Sequence, residues 1–293
     1  MEKNRKPVVV GIGELLWDLL PSGKRAGGAP VNFVYHATQS GADGYAVSAV
    51  GNDRAGDEII QELENAGIKG VISRNDHPTG SVAVRLNGSL PSYEITENVA
   101  WDYLCATPEA GALLKNADAV CFGTLASRHE TSRAAIKELL LCASEKALLF
   151  FDANLRGTYY SRDLTAQFLE RADIFKMNDE EFEVLKTLFD LSGDPDDVCG
   201  TLLRRYGLKY LIFTAGEKFS AVYSFCKKSL LQTPKVTVKD TVGAGDAFSG
   251  AFIYNILTGK TQEEAHCAAV KAAAFVATQS GAWPTYEKGF SLS

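Results

Sequence analysis

Short apolar runs alternate with amphipathic stretches along most of this chain. Residues 8–13 form a β-branched run that ends in glycine, which is typical of a buried strand. Further apolar runs predict strands at residues 45–50, 119–123, 147–152, 174–178 and 210–214. The stretches between them predict helices at residues 30–40, 57–66, 131–144, 179–189, 197–206 and 261–278. This alternation indicates βαβ units around a parallel sheet that helices cover on both faces.

A different pattern occupies residues 81–96, where apolar and polar positions alternate around Asn87-Gly88. An Asn-Gly pair between alternating segments is a strong hairpin signal, and the alternation indicates a sheet with one face in water. We expect residues 14–26 and 79–103 to form a small β-sheet lid. The predicted fold class is α/β: a single domain over residues 1–293, with a three-layer α/β/α sandwich, a mostly parallel central sheet and this lid.

The composition is that of a globular protein and narrows the range of partners. Hydrophobic residues make up 46% of the chain and charged residues 23%, with a formal net charge of −6. That charge argues against a nucleic acid or an anionic membrane as partner, because either would favour a basic face.

The N-terminal segment has the basic start and apolar run of a signal peptide. Glu14 and Asp18 interrupt the run, however, and no small-residue cleavage site follows. No stretch approaches the roughly 18 apolar residues of a membrane span. The six cysteines are scattered without a C-x-x-C pair, so we expect buried thiols and neither a disulfide framework nor a zinc site. These features predict a cytoplasmic protein.

Two glycine-containing segments are candidates for phosphate binding. Gly11-Ile-Gly13 follows a strand, but Leu16 replaces the third glycine of a dinucleotide-binding motif. Gly243-Ala-Gly245-Asp246 precedes an apolar helical run, where converging amides and the helix dipole suit an anion. Asp246 is then either an acid that complements the helix dipole or a general base beside the phosphate. The spacing alone leaves both interpretations open.

The segment from Asp240 to Phe248, DTVGAGDAF, closely resembles the C-terminal signature of the ribokinase-like (phosphofructokinase-B type) sugar kinases. The segment from Gly27 to Asn32, GGAPVN, resembles the other signature of that family. Residues 152–156 and 176–181 are similar to the same segments of bacterial fructokinases in particular. The resemblance covers nearly the whole chain, and it implies a ribokinase-like fold.

The resemblance implies roles for individual residues. Asp246 corresponds to the base that deprotonates the sugar hydroxyl. The anion hole that holds the transferring phosphoryl group corresponds to Gly243, Ala244 and Gly245. The positions that hydrogen-bond the sugar hydroxyls correspond to Asp18, Gly28 and Asn32. Arg156 either contacts the phosphoryl group or substrate, or it forms a structural ion pair with Asp152 or a surface acid.

The resemblance also implies ATP and Mg²⁺ as cofactors. Asn178 and Glu181 form the N-x-x-E element, in which Glu181 positions Mg²⁺ largely through water. By spacing alone the same pair favours a polar helix N-terminus. The T-x-G turn at the nucleotide site corresponds to Thr214 and Gly216. Several family members bind a monovalent cation such as K⁺ through backbone oxygens, which here would come from Asp240, Val242, Ala277 and Gly281.

These implied roles describe an ATP-dependent sugar kinase, with fructose as the leading substrate and fructose 6-phosphate and ADP as products. A kinase for ribose, 2-keto-3-deoxygluconate or a nucleoside such as adenosine would keep the same base. A non-catalytic sugar-binding protein on this fold would be expected to have lost it. The expected partners are a small sugar and ATP. Relatives often pair their lids edge to edge as dimers, and the exposed hairpin strands here could form such a homodimer.

Overall fold

The computed structural model describes residues 5–20, 23–87 and 90–286, and it describes side chains outside residues 84–93. The strands in these ranges are β1 (Val8–Ile12), β2 (Leu16–Leu20), β3 (Gly23–Gly27), β4 (Asp43–Gly51), β5 (Lys69–Asn75), β6 (Gly80–Asn87), β7 (Leu90–Ile95), β8 (Ala119–Phe122), β9 (Leu148–Asp152), β10 (Ile174–Asn178), β11 (Tyr210–Ala215), β12 (Phe219–Tyr223) and β13 (Lys228–Gln232). The α-helices are α1 (Ala29–Ser40), α2 (Arg54–Asn65), α3 (Pro108–Lys115), α4 (Glu130–Cys142), α5 (Arg162–Leu169), α6 (Asp179–Leu188), α7 (Pro195–Tyr206), α8 (Ala244–Leu257) and α9 (Gln262–Ala277).

The central sheet has nine strands in the order β13-β12-β11-β10-β9-β8-β1-β4-β5. Neighbours from β11 to β5 pair in parallel, whereas β12 and β13 form an antiparallel edge. The predicted α/β fold with a mostly parallel sheet is confirmed. In such a sheet, ligands bind in the crevice outside the carboxyl ends of the strands.

Two hydrophobic cores lie on the two faces of this sheet. Val9 and Val10 are adjacent in β1 and fully buried, and they belong to different cores, as do Phe150 and Phe151 in β9. Side chains of neighbouring strand residues point to opposite faces, so a strand buried on both faces reads as an unbroken apolar run. One core packs against α1, α2, α8 and α9, and the other packs against α3 to α7.

A second, four-stranded sheet has the order β3-β2-β6-β7. β2 pairs antiparallel with β3 and parallel with β6, and β6 pairs antiparallel with β7. Asn87 lies opposite Leu90, while Gly88 of the predicted turn lies outside the described residues. The segment predicted to reach residue 103 continues past this sheet into a core, where Trp101 is 1% exposed. That the small sheet acts as a lid stays a prediction.

The close approach of α8 to α1 brings two distant parts of the chain together. A Cβ atom on Gly250 in α8 would lie 2.5 Å from the carbonyl oxygen of Phe33 in α1. Only glycine permits such a short distance between the helices without a backbone shift. Asn32 precedes Phe33, and Asp246 lies one helical turn before Gly250. The close packing therefore places Asn32 and Asp246 side by side.

Two local expectations need correction. Helix α2 begins at Arg54, three residues before the predicted start, because the Asp53 carboxylate accepts a hydrogen bond from Gly56 N at 2.7 Å and caps the helix. The cysteines were expected to be buried, which is right for two of them and wrong for four. The four exposed thiols belong to Cys105, Cys142, Cys226 and Cys267.

A helix that spans a membrane needs about 20 consecutive, mostly apolar residues. Among the helices of the described ranges, none is long and apolar enough to cross a membrane.

Candidate active site

A pocket of about 530 Å³ lies between the carboxyl edge of the central sheet and the small sheet. Val82 and Ile95 line it from the small sheet. The residues at its polar wall come from the ends of β9 and β10, the start of α1 and the loop before α8. Twelve of the predicted site residues line this pocket: Asp18, Gly28, Asn32, Arg156, Asn178, Glu181, Asp240, Val242, Gly243, Gly245, Asp246 and Gly281.

The N-terminus of α8 forms one end of the pocket. Gly243 is the N-cap residue in the left-handed conformation, with φ of 80° and no side-chain cap. Ala244 N donates to Thr241 O at 3.2 Å, whereas the N–H groups of Gly243 and Gly245 meet no acceptor within the described chain. Free amides at a helix start attract an anion through their own dipoles and the helix dipole. The predicted anion hole therefore has two free amides, and the third predicted amide is already engaged.

The Asp246 carboxylate lies beside these amides. Its Oδ2 accepts a hydrogen bond from Asn32 Nδ2 at 2.8 Å. Burial, reinforced by the nearby Asp152 carboxylate, raises the pKa of Asp246 to about 6, although Lys176 and Asn32 act in the opposite direction. A carboxylate of this pKa is ionised at neutral pH and is more basic than an ordinary aspartate, which suits proton abstraction.

Lys176 supplies a positive charge under the same helix terminus. Its Nζ donates to Asp152 Oδ2 at 2.7 Å, and both side chains are less than 10% exposed. A Cβ atom on Gly245 would lie 3.4 Å from Nζ, so the ammonium group approaches the free amides closely. Burial alone would lower the pKa of Lys176, but the carboxylates of Asp152 and Glu181 outweigh it and raise that pKa. Lys176 is therefore charged.

Asn178 and Glu181 form a reciprocal capping box at the start of α6. Asn178 Oδ1 accepts from Glu181 N, and Glu181 Oε2 accepts from Asn178 N, each at 2.8 Å. Glu181 Oε1 also accepts from Leu155 N at 2.9 Å. Each carboxylate oxygen can accept a second hydrogen bond, so Glu181 can still bind water molecules of a hydrated Mg²⁺. The described residues contain no cluster of three or more His, Cys, Asp or Glu side chains suited to direct metal ligation.

Acidic and basic side chains from separate segments also line the pocket. Burial raises the pKa of Asp18 to about 6 and that of Glu14 to about 7. Glu14 Oε1 accepts from Ala29 N at 3.2 Å, while its Oε2 is buried with no partner among the described residues. Arg156 is exposed and lowers the pKa of both acids. The alternative ion pair with Asp152 is wrong, because Asp152 pairs with Lys176 instead.

The T-x-G turn lies outside the pocket lining, whereas Asp240, Val242 and Gly281 of the backbone-oxygen segments belong to it. Thr214 pairs with Asn178 in the neighbouring strand, and Gly216 follows in a left-handed turn; neither lines the pocket. The Asp240 carboxylate accepts from Val242 N at 3.0 Å and Gly281 N at 2.9 Å, which joins these segments. Ala277 O already accepts from the N–H groups of residues 239 and 240, so its lone pairs are less available to a cation.

Glu14, Lys176 and Trp283 were not assigned roles from the sequence. Lys176 had a signal, since a lysine inside the apolar strand IFKMN is unusual unless it is paired. The sequence gives no indication of a role for Trp283, because its partner is 251 positions away. In the structure Trp283 Nε1 donates to Asn32 Oδ1 at 2.7 Å.

Known proteins resemble this chain in sequence and in fold. The family model for pfkB family carbohydrate kinases matches residues 22–288. A putative sugar kinase of Pyrococcus horikoshii is 27% identical, and the match covers 96% of this chain and 93% of that protein. Fructokinase-1 of Oryza sativa subsp. japonica is 29% identical, and the match covers 96% of this chain and 95% of that protein. The crystal structure of a fructokinase with bound ATP from Xylella fastidiosa superposes with a TM-score of 0.84 at 21% identity, covering 97% and 94%. The chain therefore belongs to the pfkB family of carbohydrate kinases and is a sugar-phosphorylating phosphotransferase.

Proposed function

We propose that this protein is a fructokinase that transfers the γ-phosphoryl group of ATP to the 6-hydroxyl of fructose. The observation that carries the proposal is the Asp246 carboxylate, held by Asn32 beside two free amides at the start of α8. Fructokinases are among the relatives that match over nearly the full length of the chain, which supports fructose as the sugar.

Each part of the pocket has a task in this reaction. Asp246 takes the proton of the hydroxyl as its oxygen attacks the γ-phosphorus. The new O–P bond forms while the bond to the β,γ-bridging oxygen breaks, and ADP leaves. The amides of Gly243 and Gly245 and the Lys176 ammonium group stabilise the negative charge that develops on the transferring group. Asp18 and Gly28, with Arg156, hold the sugar.

ATP and Mg²⁺ are the proposed cofactors. Glu181 and Asn178 would hold hydrated Mg²⁺, which neutralises phosphate charge when it is bound. Thr214 and Gly216, which follow the neighbouring strand, would lie towards the nucleotide. A K⁺ site at the backbone of residues 240, 242, 277 and 281 is also proposed, with the carbonyl of Ala277 as its weakest member because it already accepts two hydrogen bonds.

The small sheet is proposed to close over the bound sugar as a lid. Asp18, Val82 and Ile95 reach the pocket from its strands, so its movement would change access of water to the reacting atoms. Its outer strands β3 and β7 have free edges within the described sheet, and Leu19 is 43% exposed. Such an edge could also pair with a second copy to form a homodimer.

The test is ADP release with fructose, ribose, tagatose, 2-keto-3-deoxygluconate and adenosine, each with and without Mg²⁺ and with K⁺ or Na⁺. Fructose should have the highest kcat/KM, and the Asp246→Asn variant should lose nearly all turnover while ATP affinity is kept. The acid limb of kcat/KM should lie near pH 6, because the base must be ionised and activity therefore rises with pH through its pKa.

Two outcomes would contradict different parts of the proposal. Faster turnover of another sugar would change the substrate and leave the mechanism intact. An Asp246→Asn variant with most of its kcat would refute Asp246 as the base.

A further inference from the structure

The C-terminal segment packs along one face of α1. Trp283 stacks on Tyr35 with ring centroids 5.4 Å apart, and the Tyr35 hydroxyl donates to Trp283 O at 3.1 Å. Further along, the Tyr286 hydroxyl lies 3.0 Å from His36 Nδ1, and Tyr286 N donates to Gln39 Oε1 at 3.2 Å. The contacted positions of α1 recur at helical spacing, so the segment follows a single face of the helix.

At the start of this face the segment reaches the active site through Asn32. Trp283 Nε1 donates to Asn32 Oδ1 at 2.7 Å, and Asn32 Nδ2 donates to Asp246 Oδ2 at 2.8 Å. Three side chains, from the C-terminal segment, α1 and α8, therefore form one continuous hydrogen-bonded chain that ends on the carboxylate.

The chemistry of the three groups permits one direction for this chain. An indole N–H can only donate a hydrogen bond, and an ionised carboxylate can only accept. If the Asn32 amide turned by 180°, its NH₂ group would face the indole N–H and its oxygen would face the carboxylate, so both bonds would be lost. The Trp283 indole and the Asp246 carboxylate therefore favour the same orientation of the amide, and the indole holds its oxygen end in place.

We propose that Trp283 is a positioning residue for phosphoryl transfer, which acts through the Asn32 amide to hold Asp246 in the orientation that proton abstraction needs. This inference rests on the proposed role of Asp246. Asn32 Nδ2 has a second N–H group that can donate to a sugar hydroxyl. A hydroxyl that accepts from Asn32 keeps its own proton available for Asp246.

The charged groups that face Asp246 belong to other elements. They are Asp152 at the end of β9, Arg156 beyond it, Lys176 on β10 and Glu14 beyond β1. Loss of the indole N–H would leave these charges in place and would release only the amide. The Asn32 hydrogen bond lowers the pKa of Asp246, so its weakening should raise that pKa and move the acid limb of activity to higher pH.

The test compares Trp283→Phe with Tyr35→Phe. The first keeps an aromatic ring for stacking and removes the indole N–H, whereas the second removes a hydrogen bond of the same segment that lies outside the chain to Asp246. Trp283→Phe should lower kcat about tenfold, which is about 1.4 kcal/mol, leave the KM for ATP unchanged and shift the acid limb upward. Tyr35→Phe should have the kcat, the KM for ATP and the acid limb of the wild type. Equal kcat and equal acid limbs in both variants would overturn the proposal.

A second measurement needs neither turnover nor a stable Trp283 variant. In ¹⁵N–¹H spectra of the wild-type protein, the Trp283 indole resonance should titrate with the pKa of Asp246 and should stop titrating in Asp246→Asn. The resonance is assigned by exclusion with Trp17→Phe and Trp101→Phe. A resonance that does not change with pH would contradict the hydrogen-bonded chain from Trp283 to Asp246.

The two proposals can fail separately. An active Asp246→Asn variant would refute Asp246 as the base. An inactive Asp246→Asn variant together with an unimpaired Trp283→Phe variant would refute only the role of Trp283.

Discussion

Two buried ion pairs of this protein have nearly the same length and different surroundings. Arg128 Nε and Asp102 Oδ1 are 2.7 Å apart, as are Lys176 Nζ and Asp152 Oδ2. Arg128 also donates to Asp102 Oδ2 and to Thr96 O, and its guanidinium group lies 4.0 Å from the Trp101 ring centroid. Lys176 has Asp152 as its one hydrogen-bond acceptor among the described residues, and its side chain lines the pocket.

The difference indicates that the Arg128–Asp102 pair is structural, whereas the Lys176–Asp152 pair can interact with a ligand in the pocket. Asp102 also accepts from Val99 N, so the first pair ties the chain that leaves the small sheet to the core. A lysine has three N–H donors, and two of those on Lys176 are unused beside the free amides of α8. Arg128 Nη1 is also buried without a hydrogen-bond partner among the described residues, but Arg128 does not line the pocket, so only the unused donors of Lys176 can reach a ligand there. We therefore expect the first pair to determine stability and the second to determine turnover.

The largest effect is expected from Arg128→Met. The variant leaves the Asp102 carboxylate buried without its cation, which should lower the free energy of unfolding by about 3–5 kcal/mol while kcat stays close to that of the wild type. Urea denaturation and steady-state kinetics measure the two quantities. Arg54→Met is the control, because the Arg54 side chain is 91% exposed in its pair with Glu58 and should contribute less than about 1 kcal/mol. Equal stabilities of the two variants would contradict the structural role of Arg128.

Lys176→Met should act mainly on turnover. Loss of one charged donor at the developing negative charge should lower kcat about 100- to 1,000-fold, as removal of an oxyanion-hole donor does. The single variant also leaves Asp152 unpaired, so stability will fall as well. The double variant Lys176→Met with Asp152→Asn removes both charges and should recover stability without recovering kcat. If the double variant regained wild-type kcat, Lys176 would have no direct part in the reaction.

Glu14→Gln is expected to have the smallest effect, and that effect depends on pH. Burial raises the pKa of Glu14 from 4.5 to about 7, so the folded protein binds a proton more tightly than the unfolded chain, and stability falls as pH rises through this window. The variant should exceed the wild type by up to about 3 kcal/mol at pH 8 and differ little at pH 4. Denaturation at both pH values measures this, with Glu183→Gln as an exposed control. A difference independent of pH would show that ionisation of Glu14 is not its cause.

Much of the fold follows from local patterns. The β-branched and aromatic runs became strands buried on both faces. The helix predicted over residues 261–278 is α9, and it opens with a T-x-x-E capping box in which Thr261 and Glu264 each accept a hydrogen bond from the other's backbone N–H. The antiparallel edge strands β12 and β13 were not predicted, since short strands of this kind have little local signal. Helix starts were off by up to three residues where a capping side chain decided them.

The sequence by itself determined the α/β class, the family and the glycine segment before α8. A helix start with free amides needs only local residues, because its chemistry belongs to the backbone. The tertiary structure decided which side chains meet there: Lys176 with Asp152, and Trp283 with Asn32 and Asp246. The Asn32–Asp246 contact spans 214 positions and depends on the close packing of α8 against α1 at Gly250. Such contacts have no periodic signal along the chain, since they arise only when separate elements pack together.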